Sequence, residues 1–318
     1  MIEIAAPDFD LAKTLDSGQV FHWQKIGNGF VGTIGDRAVY VEQQGDPLRA
    51  EFGARKLDRL NRSSFQQLVR NYFALDHPLA AICASFPDDP TMNVARDFCR
   101  GLRIIRQPKW ECLATFICSS MKQVAHIRQI SFALRERFGE PREIDPPSPR
   151  LPGGRPMNVF TFPGPERLAA SSENELRKCA LGYRARNLLG TARLVAKGAV
   201  DLEAMQELPD DHLGKALCAL PGVGAKVANC VMLFAYERLR AFPIDVWIER
   251  VLREKYFPRA RKLNVARLRA FTEGYFGSHG GYAQQYLFHH ARKTGGRRAK
   301  NRTRRRVSLQ LGMTKEKT

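Results

Sequence analysis

The sequence lacks the features that mark several common classes of protein. It contains no Cys-x-x-Cys pair and no cluster of histidines, so a zinc site is not expected. No apolar run approaches the ~18 residues of a membrane-spanning helix, and the N-terminus has no basic segment followed by an apolar one. The seven cysteines are scattered and odd in number, which is typical of reduced thiols. These absences predict a soluble intracellular protein with no membrane partner.

Acidic residues are too few to balance the basic ones. Lys and Arg number 51 against 32 Asp and Glu, which gives a net charge of +19 and a pI near 10. Nine positive charges fall between Arg292 and Arg306, so the rest of the chain keeps about +10. This excess indicates a polyanionic partner, although proteins of ribosomes or membrane surfaces share it. We expect residues 292–318 to be a disordered tail, either a solvated terminus or a source of non-specific phosphate attraction.

Two kinds of apolar periodicity divide the chain. Short alternating stretches, separated by glycine turns, predict antiparallel strands at residues 20–23, 30–34 and 38–41. The spacing is helical further on, at residues 63–86, 110–120 and 166–197. Residues 142–165 are rich in Pro and Gly and are predicted to be a connecting loop. The predicted fold class is α+β, an N-terminal antiparallel β-sheet domain followed by a mostly α-helical body.

A glycine turn between two helical patterns is the most informative stretch. The turn is Leu220-Pro221-Gly222-Val223-Gly224, with helices predicted over residues 212–220 and 225–238. Helix, turn and helix leave unpaired N–H groups at the start of the second helix. Such a site suits a phosphate.

Two ionisable residues lie on this frame. Lys226 falls in the first turn of the second helix, where the positive end of the helix dipole favours a neutral, nucleophilic amine. Asp245 precedes a helical run over residues 246–256 and is predicted to be its N-cap. The second helix rises roughly 21 Å, and an extended return from Leu239 spans roughly 23 Å. The chain can therefore bring Asp245 back beside Lys226.

The segments LPGVGAKVANC and FPIDVW resemble the helix-hairpin-helix-GPD signature of DNA glycosylases. With the lysine present, they resemble the bifunctional 8-oxoguanine DNA glycosylases in particular, and the likeness extends from about Phe9 to Phe288. It implies a sheet domain with helical elements at residues 1–110, a helix-hairpin-helix catalytic domain at 111–291 and the tail at 292–318. It also implies that Lys226 attacks the sugar, that Asp245 stabilises positive charge there, and that a monomer acts on duplex DNA containing oxidised guanine.

The resemblance also implies a base pocket. The segment DSGQVFHW matches the start of the family's N-terminal domain, whose glycine carbonyl accepts a hydrogen bond from the N7–H that only oxidised guanine has. Gly18 takes that position, although a turn glycine would explain it too. In GGYAQQYLF, Gln284 would meet the Watson–Crick edge of guanine and Phe288 would stack on the base. Cys230 would close the opposite side. Simple core packing is the alternative for Phe288 and Cys230.

Further residues match positions that contact DNA in the family. In LGYRAR, Tyr183 would wedge into the duplex and Arg184 would contact the unpaired partner base, unless the pair is only a helix start. The family usually has asparagine at Met121, arginine at His126 and a phosphate-contacting histidine at Trp247. The first two departures weaken any expectation that cytosine is required opposite the lesion.

The hairpin backbone carries two further expectations. The N–H groups of Gly222, Gly224 and Val227 would hold a phosphate just 3′ of the lesion. The carbonyls of Cys218, Leu220 and Val223 are candidate ligands for a monovalent or divalent cation. The iron–sulfur loop of some relatives is absent from the sequence, and no cofactor is required.

Two other functions remain open at this stage. One is an alkylated-base glycosylase that hydrolyses with the aspartate alone, against which Lys226 argues. The other is a non-catalytic hairpin protein that coats DNA, which has no need of the Pro-Ile-Asp element. Any of these proteins would act where the DNA lies, in the cytoplasm or nucleoid of a prokaryote or the nucleus of a eukaryote.

Overall fold

The N-terminal part of the chain is an antiparallel β-sheet, as predicted. The computed structural model describes residues 1–53, 61–145, 156–260 and 262–295. The five strands of the sheet and one short helix are β1 Ile2–Ile4, α1 Leu11–Asp16, β2 Gln24–Ile26, β3 Gly29–Ile34, β4 Arg37–Gln43 and β5 Leu48–Phe52. The strand order is β1-β5-β4-β3-β2, so the first strand pairs with the last. The sequence patterns reveal neither β1, β5 nor α1, and residues 20–23 precede β2 instead of forming a strand.

The remaining described chain is mostly helical and confirms the predicted α+β class. Its helices are α2 Arg62–Tyr72, α3 Leu79–Ala84, α4 Pro90–Phe98, α5 Lys109–Cys118, α6 Val124–Phe138, α7 Pro165–Ala169, α8 Glu173–Leu176, α9 Arg184–Ala196, α10 Asp210–Cys218, α11 Ala225–Phe234, α12 Val246–Val251, α13 Val265–Tyr275 and α14 at residues 280–295. None of the described helices has the length and apolar character needed to cross a membrane.

The sheet and the helical body share buried contacts. Phe21, just before β2, packs into the helical core, whereas Ile105 of the helical side packs into the core of the sheet. A buried ionic group reinforces this junction: Arg135 of α6 donates to Glu111 of α5 and to Thr33 Oγ1 of β3, the latter at 2.8 Å. His22 lies 3.4 Å from Glu111, and burial lowers the pKa of His22 well below its usual value. The neutral imidazole therefore fits among these charges.

Two further local predictions are wrong. The predicted loop at 142–165 contains an antiparallel pair, β6 Pro141–Ile144 and β7 Met157–Phe160, whose Ile144 and Val159 pack against Val31 and Ala38 of the sheet. Helix α11 ends at Phe234 and not at 238, because Glu237 has a positive φ of 57° and turns the chain.

The C-terminal helix continues past the point where the basic tail was expected to begin. Arg292 and Lys293 belong to α14, and both contact Asp16 at the end of α1. Residues 296–318 of the expected tail, and residues 146–155 of the expected loop, lie outside the described residues.

Candidate active site

The hairpin between α10 and α11 fits closely against α9. Gly222 has a φ of +79°, and a Cβ atom there would lie 2.7 Å from Cβ of Asn187. Only glycine satisfies both conditions without displacing α9. The turn is closed by a 3.1 Å hydrogen bond from the N–H of Val223 to the carbonyl of Leu220. The glycines predicted to shape the hairpin therefore fix where α11 begins.

The start of α11 presents free backbone donors. Within the described ranges, no group accepts a hydrogen bond from the N–H of Gly222, Gly224 or Val227. Gly224 is exposed and has open space where a Cβ atom would stand. Unpaired N–H groups at the positive end of a ten-residue helix form an environment that favours a phosphate.

Lys226 projects from the first turn of α11 into a partly apolar setting. Its Nζ donates a 3.3 Å hydrogen bond to Oγ of Ser119, the residue that follows α5. The same amine lies 5.2 Å from the centre of the Phe116 ring. The amine is half-buried and directed at the end of α5 and not into bulk solvent. A half-buried amine held in this way is suited to act as a nucleophile.

Asp245 caps α12, as the sequence predicts. Its Oδ1 accepts hydrogen bonds from the N–H of Trp247 at 3.1 Å and of Ile248 at 2.9 Å. Burial raises the pKa of the Asp245 carboxyl, while the Ile248 amide and the charge of Lys226 offset part of that rise. Lys226 and Asp245 are thus close enough to interact electrostatically. Lys226 acts on the carboxyl through its charge and not through a hydrogen bond.

The loop that returns to Asp245 is anchored by an ionic cluster. Glu237 accepts hydrogen bonds from His77 at 2.5 Å and from Nε of Arg106 at 2.6 Å, and Arg106 also pairs with Asp76. The bonds from His77 and Arg106, working against burial, lower the pKa of Glu237 to about 2. His77 contacts Tyr282 of α14 at 2.7 Å as well. The cluster therefore ties the Asp245 loop to α14.

Gln284 and Cys230 lie beside the two ionisable residues. Nε2 of Gln284 donates to the carbonyl of Pro243 at 3.0 Å, two residues before Asp245, whereas its buried Oε1 has no partner. Cys230 is buried and interacts with both Lys226 and Asp245. Burial raises the pKa of the Cys230 thiol to about 11, so it is neutral. The unpaired amide oxygen is an acceptor available to a ligand.

Gly18 and Phe288 complete the set of predicted pocket residues. Gly18 has a φ of +86°, and a Cβ atom there would approach Cε1 of Phe288 to 3.0 Å. The half-buried Phe288 lies one helical turn after Gln284 on α14. The structure thus brings Gly18 to Phe288, Gln284 to the Asp245 loop, and Cys230 to Lys226.

Tyr183 and Met121 form an exposed apolar pair. Met121 is 94% exposed with a positive φ of 52°, and Tyr183 is 56% exposed. The Tyr183 hydroxyl lies 4.0 Å from the sulfur of Met121. Large apolar side chains presented together on the surface are suited to insert into a base stack.

Arg184 occupies a different environment from the one expected of a base-contacting side chain. It is buried, stacks 4.4 Å from the Tyr183 ring centre, and donates to the carbonyls of Ser120 and Leu181. These bonds would have to be exchanged before the guanidinium could meet a base. Contact between Arg184 and an unpaired base stays a prediction.

His126 and Trp247 also differ in setting. His126 is exposed on α6, whereas Trp247 is partly buried, with Arg250 5.4 Å from its ring centre. A Cβ atom on Gly295 of α14 would lie 2.8 Å from the Trp247 ring. Trp247 therefore packs against the end of α14, and its contact with a phosphate stays a prediction.

Comparisons with known proteins agree with this arrangement. The family model for the N-terminal domain of 8-oxoguanine DNA glycosylases matches residues 1–113. The structure of MBOgg1 in complex with a low-affinity DNA ligand is 32% identical in sequence and has a TM-score of 0.81, covering 92% of this chain and 96% of that one. The chain belongs to the 8-oxoguanine DNA glycosylase family.

Two other members of the 8-oxoguanine DNA glycosylase family are also similar. The Clostridium acetobutylicum 8-oxoguanine glycosylase/lyase, in complex with double-stranded DNA containing cytosine opposite 8-oxoG, is 27% identical with a TM-score of 0.80. The alignment covers 93% of this chain and 99% of that one. The Arabidopsis thaliana N-glycosylase/DNA lyase OGG1 is 28% identical over 299 residues, which are 90% of this chain and 78% of the plant protein. The predicted resemblance is confirmed.

Several residues of this glycosylase site escaped the sequence-based prediction. Ser119 and Phe116 contact Lys226, and Glu237 anchors the loop before Asp245, but each lies in an ordinary apolar or polar run with no motif of its own. Only the position of Ser119 at the end of a predicted helix offered a signal.

The hairpin carbonyls fit a cation by their chemistry alone. Carbonyl oxygens are hard ligands of the kind that alkali and alkaline-earth ions prefer. The carbonyl of Leu220 already accepts the N–H of Val223 and keeps a second lone pair, and Cys218 is exposed. In the described chain, no group of three or more His, Cys, Asp or Glu side chains could hold a metal ion.

Proposed function

We propose that this protein is a bifunctional DNA glycosylase that excises 8-oxoguanine from duplex DNA and cleaves the resulting abasic site. The observation that carries the proposal is the electrostatic interaction of Lys226 with Asp245. Gln284 binds the carbonyl of Pro243 in the same loop as Asp245 and keeps an unpaired Oε1. The relatives named N-glycosylase/DNA lyase, and the clostridial enzyme bound to DNA containing 8-oxoG, support the same activity.

Base extrusion precedes the chemistry. The glycosidic carbon cannot be reached inside the stack, so the damaged nucleotide has to rotate out of the duplex. Tyr183, with Met121 beside it, would fill the space that the nucleotide leaves. The N–H groups of Gly222, Gly224 and Val227 would hold the adjacent 3′ phosphate.

The extruded base would enter a pocket in which Gly18 and Phe288 form one wall. Phe288 provides a ring for stacking. Oε1 of Gln284 can accept from the N–H groups of the Watson–Crick edge of guanine, and this pairing removes a buried acceptor without a partner. The Gly18 carbonyl would accept the N7–H that oxidised guanine has and guanine lacks.

The two ionisable residues would then act on the deoxyribose. Positive charge develops on the sugar as the glycosidic bond breaks, and the carboxylate of Asp245 stabilises it. The amine of Lys226 forms a bond to the anomeric carbon while the base departs with the bonding electron pair and takes a proton from the attacking nitrogen. Loss of a second amine proton and opening of the sugar ring give a Schiff base. The imine acidifies the neighbouring C2′ proton, whose removal expels the 3′ phosphate by β-elimination.

The hairpin cation and the site of action belong to the same proposal. A cation on the carbonyls of Cys218, Leu220 and Val223 would add positive charge beside the bound phosphate. An enzyme that repairs genomic DNA would act in the prokaryotic cytoplasm or the eukaryotic nucleus.

Borohydride trapping tests the proposal directly. Borohydride reduces a Schiff base to a stable amine, so incubation with duplex containing 8-oxoguanine should yield a covalent protein–DNA adduct. A matched duplex with guanine at the same position is the control and should yield none. An enzyme that releases alkylated bases, forms no adduct and leaves 8-oxoguanine intact would show the purely hydrolytic alternative instead.

A further inference from the structure

The loop that carries Gly18 is bound by side chains at the carbonyls on both sides of that residue. Arg292 donates to the carbonyl of Asp16. Nε2 of Gln285 donates to the carbonyl of Ser17 at 3.0 Å, and Nε2 of Gln107 donates to that of Gln19 at 2.8 Å. No group in the described ranges donates to the carbonyl of Gly18 itself. It is therefore the free acceptor of the loop.

Solvent exposure also distinguishes Gly18 from its two neighbours. Ser17 and Gln19 are fully buried, whereas Gly18 between them is partly exposed. The Gln19 side chain is itself fixed, because its amide donates to the carbonyls of Thr14 and Arg103 and its oxygen accepts the N–H of Ile105. Gly18 is thus the point at which a rigid, buried loop reaches the pocket.

Arg292 contacts both the Gly18 loop and Phe288. It lies 3.7 Å from the Asp16 carboxylate and 6.0 Å from the centre of the Phe288 ring. Burial alone would raise the pKa of Asp16, but Lys293 and Arg292 hold it below its usual value, so the carboxylate is charged at neutral pH. One guanidinium therefore fixes the Gly18 loop and the stacking ring relative to each other.

The buried donors come from elements outside the Gly18 loop. Gln285 is 2% exposed and Gln107 is 7% exposed, so both amides are desolvated and committed to these carbonyls. Removing such a donor leaves a buried carbonyl unpaired, which favours rotation of the peptide toward another donor. A rotated Ser17–Gly18 or Gly18–Gln19 peptide would move the Gly18 carbonyl as well.

We propose that Gln107, Gln285 and Arg292 are positioning residues that fix the Gly18 carbonyl for recognition of oxidised guanine. The inference rests on the proposed function. A fixed carbonyl accepts the N7–H of 8-oxoguanine and repels the N7 lone pair of guanine. A loop free to turn would weaken this distinction, because the carbonyl would no longer be held where it accepts the N7–H of 8-oxoguanine.

Binding measurements in a Lys226→Gln background isolate recognition from chemistry. Affinities for duplexes that differ only in 8-oxoguanine or guanine would be measured by fluorescence anisotropy. Gln285→Met, which keeps the length and removes the donor, should lower the preference for 8-oxoguanine about tenfold with little change in guanine affinity. Arg292→Leu should act in the same direction and Arg292→Lys should restore part of the preference. Gln129→Met, on an exposed face of α6, is the matched control.

Cleavage of a preformed abasic duplex supplies the second readout, because that substrate has no base to recognise. In an enzyme that retains Lys226, Gln285→Met should slow 8-oxoguanine excision about tenfold and leave abasic-site cleavage unchanged. Equal losses on both substrates, or an undiminished preference in both Gln285→Met and Arg292→Leu, would overturn the positioning role. A parent enzyme that binds and processes 8-oxoguanine no better than guanine would overturn the proposed function, and the positioning role with it.

Discussion

Gly18 and Phe288 meet across the junction of the N-terminal sheet domain and the last helix. A Cβ atom on Gly18 would lie 3.0 Å from Cε1 of Phe288, and 3.6 Å from Cγ2 of Val124 on α6. The φ of +86° at Gly18 is in the region that favours glycine. The contact brings residues from opposite ends of the chain to one pocket wall. Because the two residues are so close, a methyl group added at Gly18 should disturb the site.

Gly18→Ala should impair base excision more than strand cleavage. The added methyl group would push Phe288 away or twist the loop, so we expect at least a tenfold loss of 8-oxoguanine excision, about 1.4 kcal/mol. Cleavage of a preformed abasic site should be retained, which single-turnover assays on the two substrates will show. Gly198→Ala is the control, since Gly198 has a φ of +72° with open space around it. A similar loss of excision in Gly198→Ala would mean that backbone strain alone explains the result for Gly18→Ala.

Lys226→Gln should abolish strand cleavage and borohydride trapping together. The amide cannot form a Schiff base, yet it can still hydrogen-bond Ser119, so the fold should be preserved. Gel analysis of the trapped adduct and thermal unfolding would measure the two effects. Lys122→Gln, on a residue outside the catalytic pair, should trap as the parent does. An adduct that survives Lys226→Gln would assign the nucleophile to another amine.

Asp245→Asn should reduce excision while leaving α12 intact. The asparagine oxygen can still accept from the N–H groups of Trp247 and Ile248, so the helix cap is kept. The lost negative charge should slow excision by about 100-fold or more. Single-turnover rates measure excision, and thermal unfolding followed by circular dichroism measures stability. Asp245→Ala, which also removes the cap, should lower stability by about 1 kcal/mol in addition. Unchanged excision in Asp245→Asn would remove the carboxylate from the mechanism.

The pH dependence of excision should reveal the raised pKa of Asp245. Burial, only partly opposed by Ile248 and Lys226, keeps the carboxyl protonated to a higher pH than an ordinary aspartate. Excision should therefore increase as pH rises through that folded-state pKa. Protonated Asp245 also stabilises the folded protein. This contribution to the free energy of unfolding is fully present below the unfolded-state pKa and is lost as the pH rises through the folded-state pKa. Single-turnover rates under saturating enzyme will show the acid limb, which should be missing from the residual activity of Asp245→Asn.

The identity of the base opposite the lesion should matter little. Met121 is exposed beside Tyr183, His126 is exposed on α6, and Arg184 is committed to backbone carbonyls. Excision from duplexes with each of the natural bases opposite 8-oxoguanine should thus differ by less than about tenfold. The double change Met121→Asn and His126→Arg should increase the preference for cytosine by adding polar groups. A strong preference for cytosine in the parent protein would show that Arg184 leaves its site when DNA binds.

Local sequence signals predicted the hairpin and the positions of Lys226 and Asp245. The turn glycines, the N-cap position of Asp245 and the first-turn position of Lys226 depend on backbone conformation within a few residues, so composition and spacing reveal them. The pair β6 and β7 escaped prediction because its strands are short. Its apolar side chains are buried only by packing against Val31 and Ala38, which are distant in sequence. Strand β1 was missed for the same reason, since its partner β5 lies far along the chain.

The amino-acid sequence by itself determined the class of the fold, the hairpin and the two residues of the proposed chemistry. Only the tertiary structure decided which groups surround them. Ser119 meets Lys226 across 107 positions, and Gln285 reaches the Ser17 carbonyl across 268. Contacts at such separations depend on how whole elements pack, and no local periodicity encodes that packing. The structure also placed Arg292, in a stretch expected to be a solvated tail, against the Gly18 loop and Phe288.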